Sequence, residues 1–531
     1  MSLKRVLVVL ALALAAVSCS SEGPAPEKAL RYRVREPAPT LDPFQAADDN
    51  SLVYIYPIFD GLVEFVPGTV DVRPAVAESW TLSDDHLTYT FKLRPGVRFH
   101  HGRELTADDV VYSVRRALTK DAKSLKRTFF NALKGAAEFW DGATTELAGV
   151  VASDPRTVIM TLSYPYEAFL SVLASEAGSI VPKEVYSDPA GGYLSHPVGC
   201  GPFMFESAEP GVSVTLTRFA GHWKSAPRDG IQKILFRVIE SPSTALEEYR
   251  AGTLDFTQEF PPGQRTRLRQ EMPDHFHNWR KLQLFYLEFN HASGPFKEKR
   301  LLRQAILHAV DKEFIVKTLQ EDKDVVATGI IPPAMLGHTP GQPSARYDPD
   351  MAADLLARAG YPGGKGLPEI IYHTNDSMGL RLLAERVQSD LARIGLKVSI
   401  KMMDFGAFLA ALRTNPEKVP ALSLVRQAFY ADYPDPDNFL TEMLAPSGSG
   451  NTGHYDNPAL TSQLDAARRE PDHLKREALY QGIEKLALDD AAIVPIYWMG
   501  QDILLRPEVG GFTGSPLGLF GIPWEEMSLN R

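Results

Sequence analysis

The sequence predicts an α/β fold with mixed sheets, divided into two lobes around a cleft. Three observations carry this. The chain has 531 residues, well past the length at which a single hydrophobic core stops growing. Short β-branched and aromatic runs bounded by Pro, Gly or Asp alternate along it with helical patterns of period 3.6. One stretch also reads as a βαβ unit: a strand at Glu369–His373, a helix and a strand at Lys397–Met402, which requires local parallel pairing. Clefts between lobes are where small ligands usually bind.

The elements follow in order. Thr88–Leu93 (TYTFKL), Thr157–Leu162 (TVIMTL), Ser213–Leu216 and Ile234–Val238 read as strands. Thr106-Ala-Asp-Asp109 before Val110, Val111 and Val114 is a capping box opening a helix. Leu302, Ile306, Ala309 and Val310 mark another, preceded by the turn at Pro295 and Phe296. In the βαβ unit Leu380, Leu383, Ala384, Val387, Leu391 and Ile394 recur at steps of three and four, and Gly395 stops the helix. No internal repeat is evident.

Composition narrows the function. Hydrophobic residues make up 44% and charged residues 23% of the chain, as in ordinary globular proteins. A formal net charge of -10 argues against a nucleic-acid partner. At the N-terminus, Lys4 and Arg5 precede twelve unbroken apolar residues, Val6–Val17. That run is too short to span a bilayer, which needs about 20 residues, and fits a signal peptide over residues 1–18. Ala16-Val-Ser-Cys19 resembles the bacterial lipobox, with Ala where Leu is usual, so Cys19 is the expected lipidation site. The polar stretch up to residue 29 reads as a tether. Cys200 is then the one cysteine left, which leaves no intramolecular disulfide; between two glycines it reads as a small packed residue rather than a nucleophile.

No catalytic constellation has convincing spacing. The chain lacks a phosphate loop, an HExxH and a GxSxG. His100 and His101 are neighbours, which point to opposite faces of a strand, and a solvated turn is the expectation. His275 and His277 would share a face but have no evident further ligand. No metal, cofactor or enzymatic activity is expected.

The crowded run Asp432-Tyr-Pro-Asp-Pro-Asp437-Asn438 lacks the spacing and glycine of a calcium loop. Alone it reads as a Pro-rich surface turn with solvated carboxylates. Its context adds a second reading. Upstream lie the strand-like run Ala421–Val425, then Arg426, then Gln427-Ala428-Phe429-Tyr430. Arg426 and Asp432 thus flank an aromatic segment, six residues apart, or up to roughly 20 Å in an extended chain. A short peptide carries an ammonium at one end and a carboxylate at the other; Asp432 can pair with the first and Arg426 fork onto the second. Both residues being ordinary ion-pair partners of other side chains stays open at this point.

Over nearly all of the chain after the tether, ordered landmarks resemble one family. They include Phe59-Asp-Gly-Leu62, Pro74-Ala-Val-Ala-Glu-Ser-Trp80, Leu105-Thr-Ala-Asp-Asp-Val110, Val198-Gly-Cys-Gly-Pro-Phe203, Phe289-Asn290, Ala431-Asp-Tyr-Pro-Asp-Pro436 and Ala492-Ile-Val-Pro-Ile-Tyr-Trp498. The chain resembles the family 5 extracellular solute-binding proteins of ABC importers, the oligopeptide- and dipeptide-binding proteins.

The resemblance implies a two-lobed periplasmic-binding-protein fold of type II, large cluster, with three domains and a two-strand hinge. Domain I would comprise residues 30–73, 195–285 and 500–531, domain II residues 74–194 and domain III residues 286–499. The lobe crossings would fall near Gln283–Asn290 and Met499–Asp502. It further implies that Asp432 meets a peptide's ammonium, that Arg426 meets its carboxylate, and that Ala428, Phe429 and Tyr430 offer backbone groups to it. The family often has Gly-Trp where Ala428-Phe429 stand, and a histidine used by some members near Met378 is absent. The implied role is capture of a short peptide by a monomer anchored in a membrane at Cys19, and delivery to an ABC permease powered by its ATPase subunits. Nickel complexes, haem, glutathione, opines and oligosaccharides are the other solutes the family carries; an exported hydrolase and a signalling or chaperone-like interaction protein are the remaining alternatives.

Overall fold

The computed structural model describes residues 28–531 apart from 47, 189–190, 342–345 and 413–422. Cys19 and the proposed signal peptide lie outside the described residues, as do the first two residues of the Ala421–Val425 run. Among the described residues, no helix is long and apolar enough to cross a membrane.

One sheet of eleven strands organises most of the chain. Its strands run in the order Val398–Met403, Ile370–Asn375, Leu424–Tyr430, Phe276–Phe289, Ile493–Leu505, Phe256–Gln258, Ala29–Val34, Lys233–Val238, Ser213–Arg218, Phe203–Glu209, with Val325–Val326 added against Ile493–Leu505. The βαβ unit forms as expected. Ile370–Asn375 pairs in parallel with Val398–Met403, and the helix Met378–Arg393 between them ends at Gly395, whose φ of +88° costs a glycine little. The predicted capping box is present too: Asp109 accepts from the Thr106 N–H at 2.9 Å at the start of Ala107–Ala117. A second, antiparallel sheet orders Ala77–Leu82, Thr88–Leu93, Thr157–Thr161 and Val150–Asp154 side by side.

The two long strands Phe276–Phe289 and Ile493–Leu505 join the halves of the large sheet. They pair antiparallel at both ends, Phe276–Arg280 with Leu504–Gly500 and Leu284–Glu288 with Trp498–Ile493, and the register breaks between Arg280 and Leu284. At the break the Leu282 N–H leaves its strand partner for the Pro516 carbonyl, 2.8 Å away. So the ladder between the two long strands is interrupted between Arg280 and Leu284. A local irregularity of this kind bends a strand and raises its twist.

Apolar burial follows the same division. One core packs Tyr32, Phe44, Tyr54, Phe91, Phe99 and Trp524 around the N-terminal strands and the four-stranded sheet. Two further cores cover opposite faces of the other half: Leu287, Ile306, Tyr372 and Val387 on one, Leu284, Phe439, Tyr480 and Ile483 on the other. Cys200 is fully buried in the first core, and burial pushes its thiol pKa up, as expected of a packed residue. Its flanking glycines are required by close approach. A Cβ on Gly199 would lie 2.0 Å from the Ile58 carbonyl oxygen. Gly199→Ala is therefore expected to cost about 3 kcal/mol through forced backbone displacement, measurable as a lowered urea midpoint.

His100 differs from expectation. It is not in a solvated turn: its ring contacts the backbone of both Gly199 and Gly201, at 3.2 and 3.1 Å, and burial depresses its pKa to about 4. His101 stays exposed and meets Glu184 at 2.8 Å. His275 contacts the Tyr249 hydroxyl at 2.7 Å. Among the described residues no cluster suited to a metal ion exists.

Candidate functional site

The site is built on the strand Leu424–Tyr430. One edge pairs with Phe276–Phe289 along its whole length, Leu424 opposite Phe289 to Tyr430 opposite Gln283. The other edge pairs with Ile370–Asn375 only at Leu424 and Val425. From Arg426 onward that edge is uncovered among the described residues. The Ala431 N–H donates to Leu282 at 2.9 Å, and the Ser423 carbonyl accepts from Asn290 at 3.1 Å. Since backbone groups alternate along a strand, Arg426, Ala428 and Tyr430 turn their N–H and C=O groups to the uncovered edge. Phe429 turns its backbone inward to Leu284, and its ring packs edge-on against Phe439 at 5.1 Å.

Asp432 stands just beyond the end of this strand. Its N–H donates to Asn438 Oδ1 at 2.9 Å, and its Oδ2 accepts from Asn438 Nδ2 at 2.8 Å. These bonds fix the carboxylate without neutralising it. Among the described residues no cation pairs with it. Loss of hydration pushes its pKa up to about 6; the Asn438 bond opposes this and nearby Glu176 adds to it. Asp432 lines a small void with Leu52, Tyr56, Lys126, Glu176 and Tyr430. Across that void Lys126 and Glu176 form a buried ion pair, and the Tyr56 hydroxyl donates to Glu176 at 2.9 Å.

The carboxylates after Asp432 are not solvated, contrary to the simplest reading of that run. Asp435 caps the helix Pro436–Leu444 and takes a two-pronged bond from Arg476 at 2.6 and 2.9 Å. Asp437 is buried beside Arg468 at 3.0 Å. The turn also touches the opposite lobe: the Tyr166 hydroxyl lies 2.9 Å from that of Tyr433 and 3.2 Å from Asp437 Oδ2. The physical reason is local. Proline at the first helical position makes Asp435 an N-cap, which turns the acidic run into the core.

Arg426 faces the same side of the sheet as Ala428 and Tyr430. It donates to Asn375 Oδ1, and its guanidinium lies 4.6 Å from the Phe408 ring centre. Its Nε is buried without a hydrogen-bond partner, and burial lowers its pKa. Among the described residues no carboxylate pairs with it. A buried charge left uncompensated is costly, so both Arg426 and Asp432 are poised for a partner from outside the chain. The structure thus sets a lone anion and a lone cation near the two ends of an uncovered strand edge.

The walls of the void were not legible in the sequence. Tyr56, Lys126, Glu176 and Leu517 come from segments far apart, and no local spacing ties them together. One weak signal existed beside it: Lys281 and Gln283 are polar at positions alternating with the buried Leu282 and Leu284, marking a face that leaves the core.

Residues 71–451 match the family described as bacterial extracellular solute-binding proteins, family 5 Middle. The chain belongs to this family. Among curated relatives, the dipeptide-binding protein of Escherichia coli K12 is 29% identical, over 87% of each chain. Heme-binding protein A of Haemophilus influenzae is 28% identical, over 87% of this chain and 85% of its own. Among solved structures, the ABC transporter-associated periplasmic binding protein DppA from Helicobacter pylori, in complex with the peptide STSA, is 26% identical. It superposes with a TM-score of 0.76 over 95% of this chain and 98% of its own. The fold is the two-lobed type II binding-protein architecture, and the similar proteins are solute-binding proteins rather than enzymes.

Proposed function

We propose that this protein captures short peptides in the interlobe cleft and delivers them to an ABC permease. Asp432 takes the ammonium. The peptide main chain lies along the uncovered edge beside Ala428 and Tyr430 as an added strand, and Phe429 supports that edge from behind. Arg426 takes the carboxylate of peptides long enough to reach it. The observation that carries this reading is that, among the described residues, no strand pairs with the outer edge of Leu424–Tyr430 beyond Val425, and an anion and a cation without ion-pair partners flank it. The relative named for haem shows that solutes vary within the family, but an uncovered backbone edge has no use in holding a planar macrocycle.

In this reading the chain is exported, lipidated at Cys19 and tethered to a membrane. The segments 30–73, 195–285 and 500–531 move as one domain against 286–499, with 74–194 carried on the first. Closure pivots on the interrupted ladder between Arg280 and Leu284. The ligand favours the closed form through contacts to both lobes, and the permease's ATPase supplies the energy.

The test is mass spectrometry of whatever denaturation releases from the purified chain starting at residue 20. A mixture of short peptides with free amines is the expected result; a single non-peptide species overturns the reading. Arg426→Ala should weaken binding tenfold or more for peptides of about 3–5 residues, the length whose far end reaches the guanidinium at about 3.3 Å per residue. Shorter peptides should change by less than about twofold. Calorimetry across a length series checks this; a uniform loss would assign Arg426 to structure.

A further inference from the structure

A second cavity adjoins the Asp432 void, sharing Tyr430, Ala431 and Leu517 with it. It is lined also by Asp49, Lys281, Gln283 and Gln501. Lys281 sits in the register break of the hinge strand. Its stem is held from behind: a Cβ on Gly518 would lie 3.1 Å from Lys281 Cδ. Among the described residues its ammonium has neither an ion-pair partner nor a hydrogen bond. Burial lowers its pKa, and Asp49, Asp324 and Glu259 act on it only through space, opposed by Lys323. Asp49, the other charge on the cavity wall, makes no ion pair with Lys281 and attracts it through space only. Gln283 adds an amide to the same wall, while the Gln501 amide beside it donates to Gln258 Oε1 and the Asp502 carbonyl, both at 3.2 Å.

Register fixes where Lys281 stands relative to the ligand. Gln283 is opposite Tyr430, and Leu282 bonds Ala431. Ala431 is the residue before Asp432, and the cavity that Lys281 lines shares Tyr430, Ala431 and Leu517 with the Asp432 void, so Lys281 stands beside the Asp432 end of the strand. Arg426 lies six residues from Asp432 along the other strand. Lys281 therefore cannot meet the far carboxylate of an extended ligand whose ammonium is at Asp432. What it can meet is a group attached close to that ammonium.

We propose that Lys281, with Gln283, forms a subsite for an anionic side chain on the ligand's first residue, so that the cleft selects peptides beginning with Asp or Glu. The inference rests on the peptide reading and on Asp432 as the ammonium partner. It explains why a lysine without a partner stands in a cavity wall, where a neutral side chain would cost less to bury.

The test is calorimetry on the mature chain with Glu-Ala-Ala, Gln-Ala-Ala, Ala-Ala-Glu and Ala-Ala-Gln. The glutamate and glutamine peptides have the same shape. Glu-Ala-Ala should bind at least tenfold tighter than Gln-Ala-Ala, and the C-terminal pair should differ by less than about twofold. Lys281→Met should bring Glu-Ala-Ala down to the level of Gln-Ala-Ala and leave the latter within about twofold. Lys281→Arg should keep the preference. Equal binding of Glu-Ala-Ala and Gln-Ala-Ala by the unsubstituted protein overturns the subsite without using any variant. So does a preference that survives Lys281→Met, or one equally large for the C-terminal glutamate. If the unsubstituted protein binds none of the four peptides, the peptide reading falls, and the subsite with it.

Discussion

Asp432→Ala is expected to weaken peptide binding by about 3–5 kcal/mol, the usual cost of leaving one member of a buried charge pair alone. The ligand's ammonium would enter a narrow void whose other charges, Lys126 and Glu176, already neutralise each other. Asp432→Asn should lose nearly as much, because an amide keeps the shape and the Asn438 contact but not the charge. The same group predicts a pH dependence. With its pKa raised to about 6, Asp432 in the empty cleft takes up a proton as pH falls through 6, and a protonated acid does not hold an ammonium. Affinity should therefore fall between pH 7 and pH 5, and Asp432→Ala should flatten that profile. Its contribution to stability has the opposite sign. The folded state binds this proton more tightly than the unfolded chain, where Asp titrates near 3.9, so this residue's stabilisation is greatest below about pH 4 and is lost as pH rises through 6. Calorimetry at several pH values separates the effects; unchanged affinity in both variants at pH 7.5 would remove Asp432 from the site.

How much of this was legible in the sequence depended on the range of the interaction. The βαβ unit, its Gly395 stop and the Thr106–Asp109 capping box rest on contacts within one or two turns, and the structure has them where periodicity puts them. The extended segment between Arg426 and Asp432 was legible from its flanking charges, because spacing and length are local properties. What the sequence did not show was which edge of that strand stays bare; that depends on Ile370–Asn375 pairing with it for just two residues. Nor did it show Lys126, Glu176 and Tyr56 meeting Asp432 across the cleft. His100 and Asp435 were misread for one common reason. A polar residue in a turn-rich stretch is usually solvated, and here each is buried by a partner distant in sequence, Gly199 and Gly201 for one and Arg476 for the other.

That Arg476–Asp435 pair carries the second large effect. Asp435 is 7% exposed and Arg476 2% exposed, and although burial works against the Arg476 charge, Asp435 holds it protonated. Arg476→Ala would strand the carboxylate in the core at the N-cap of Pro436–Leu444 and should cost about 3–5 kcal/mol, read as a lowered urea midpoint. Arg476→Met with Asp435→Asn should recover much of this, since Asn still caps a helix and no lone charge remains. The consequence reaches the ligand. Asn438, which orients the Asp432 carboxylate, lies in the first turn of that helix. A loosened cap therefore releases the group that meets the ammonium. Arg476→Ala should weaken peptide binding as well as folding, with the doubly substituted chain recovering both together. If the midpoint falls while affinity stays unchanged, the cap and the ammonium site are independent, and Asp432 must be held by the strand end alone.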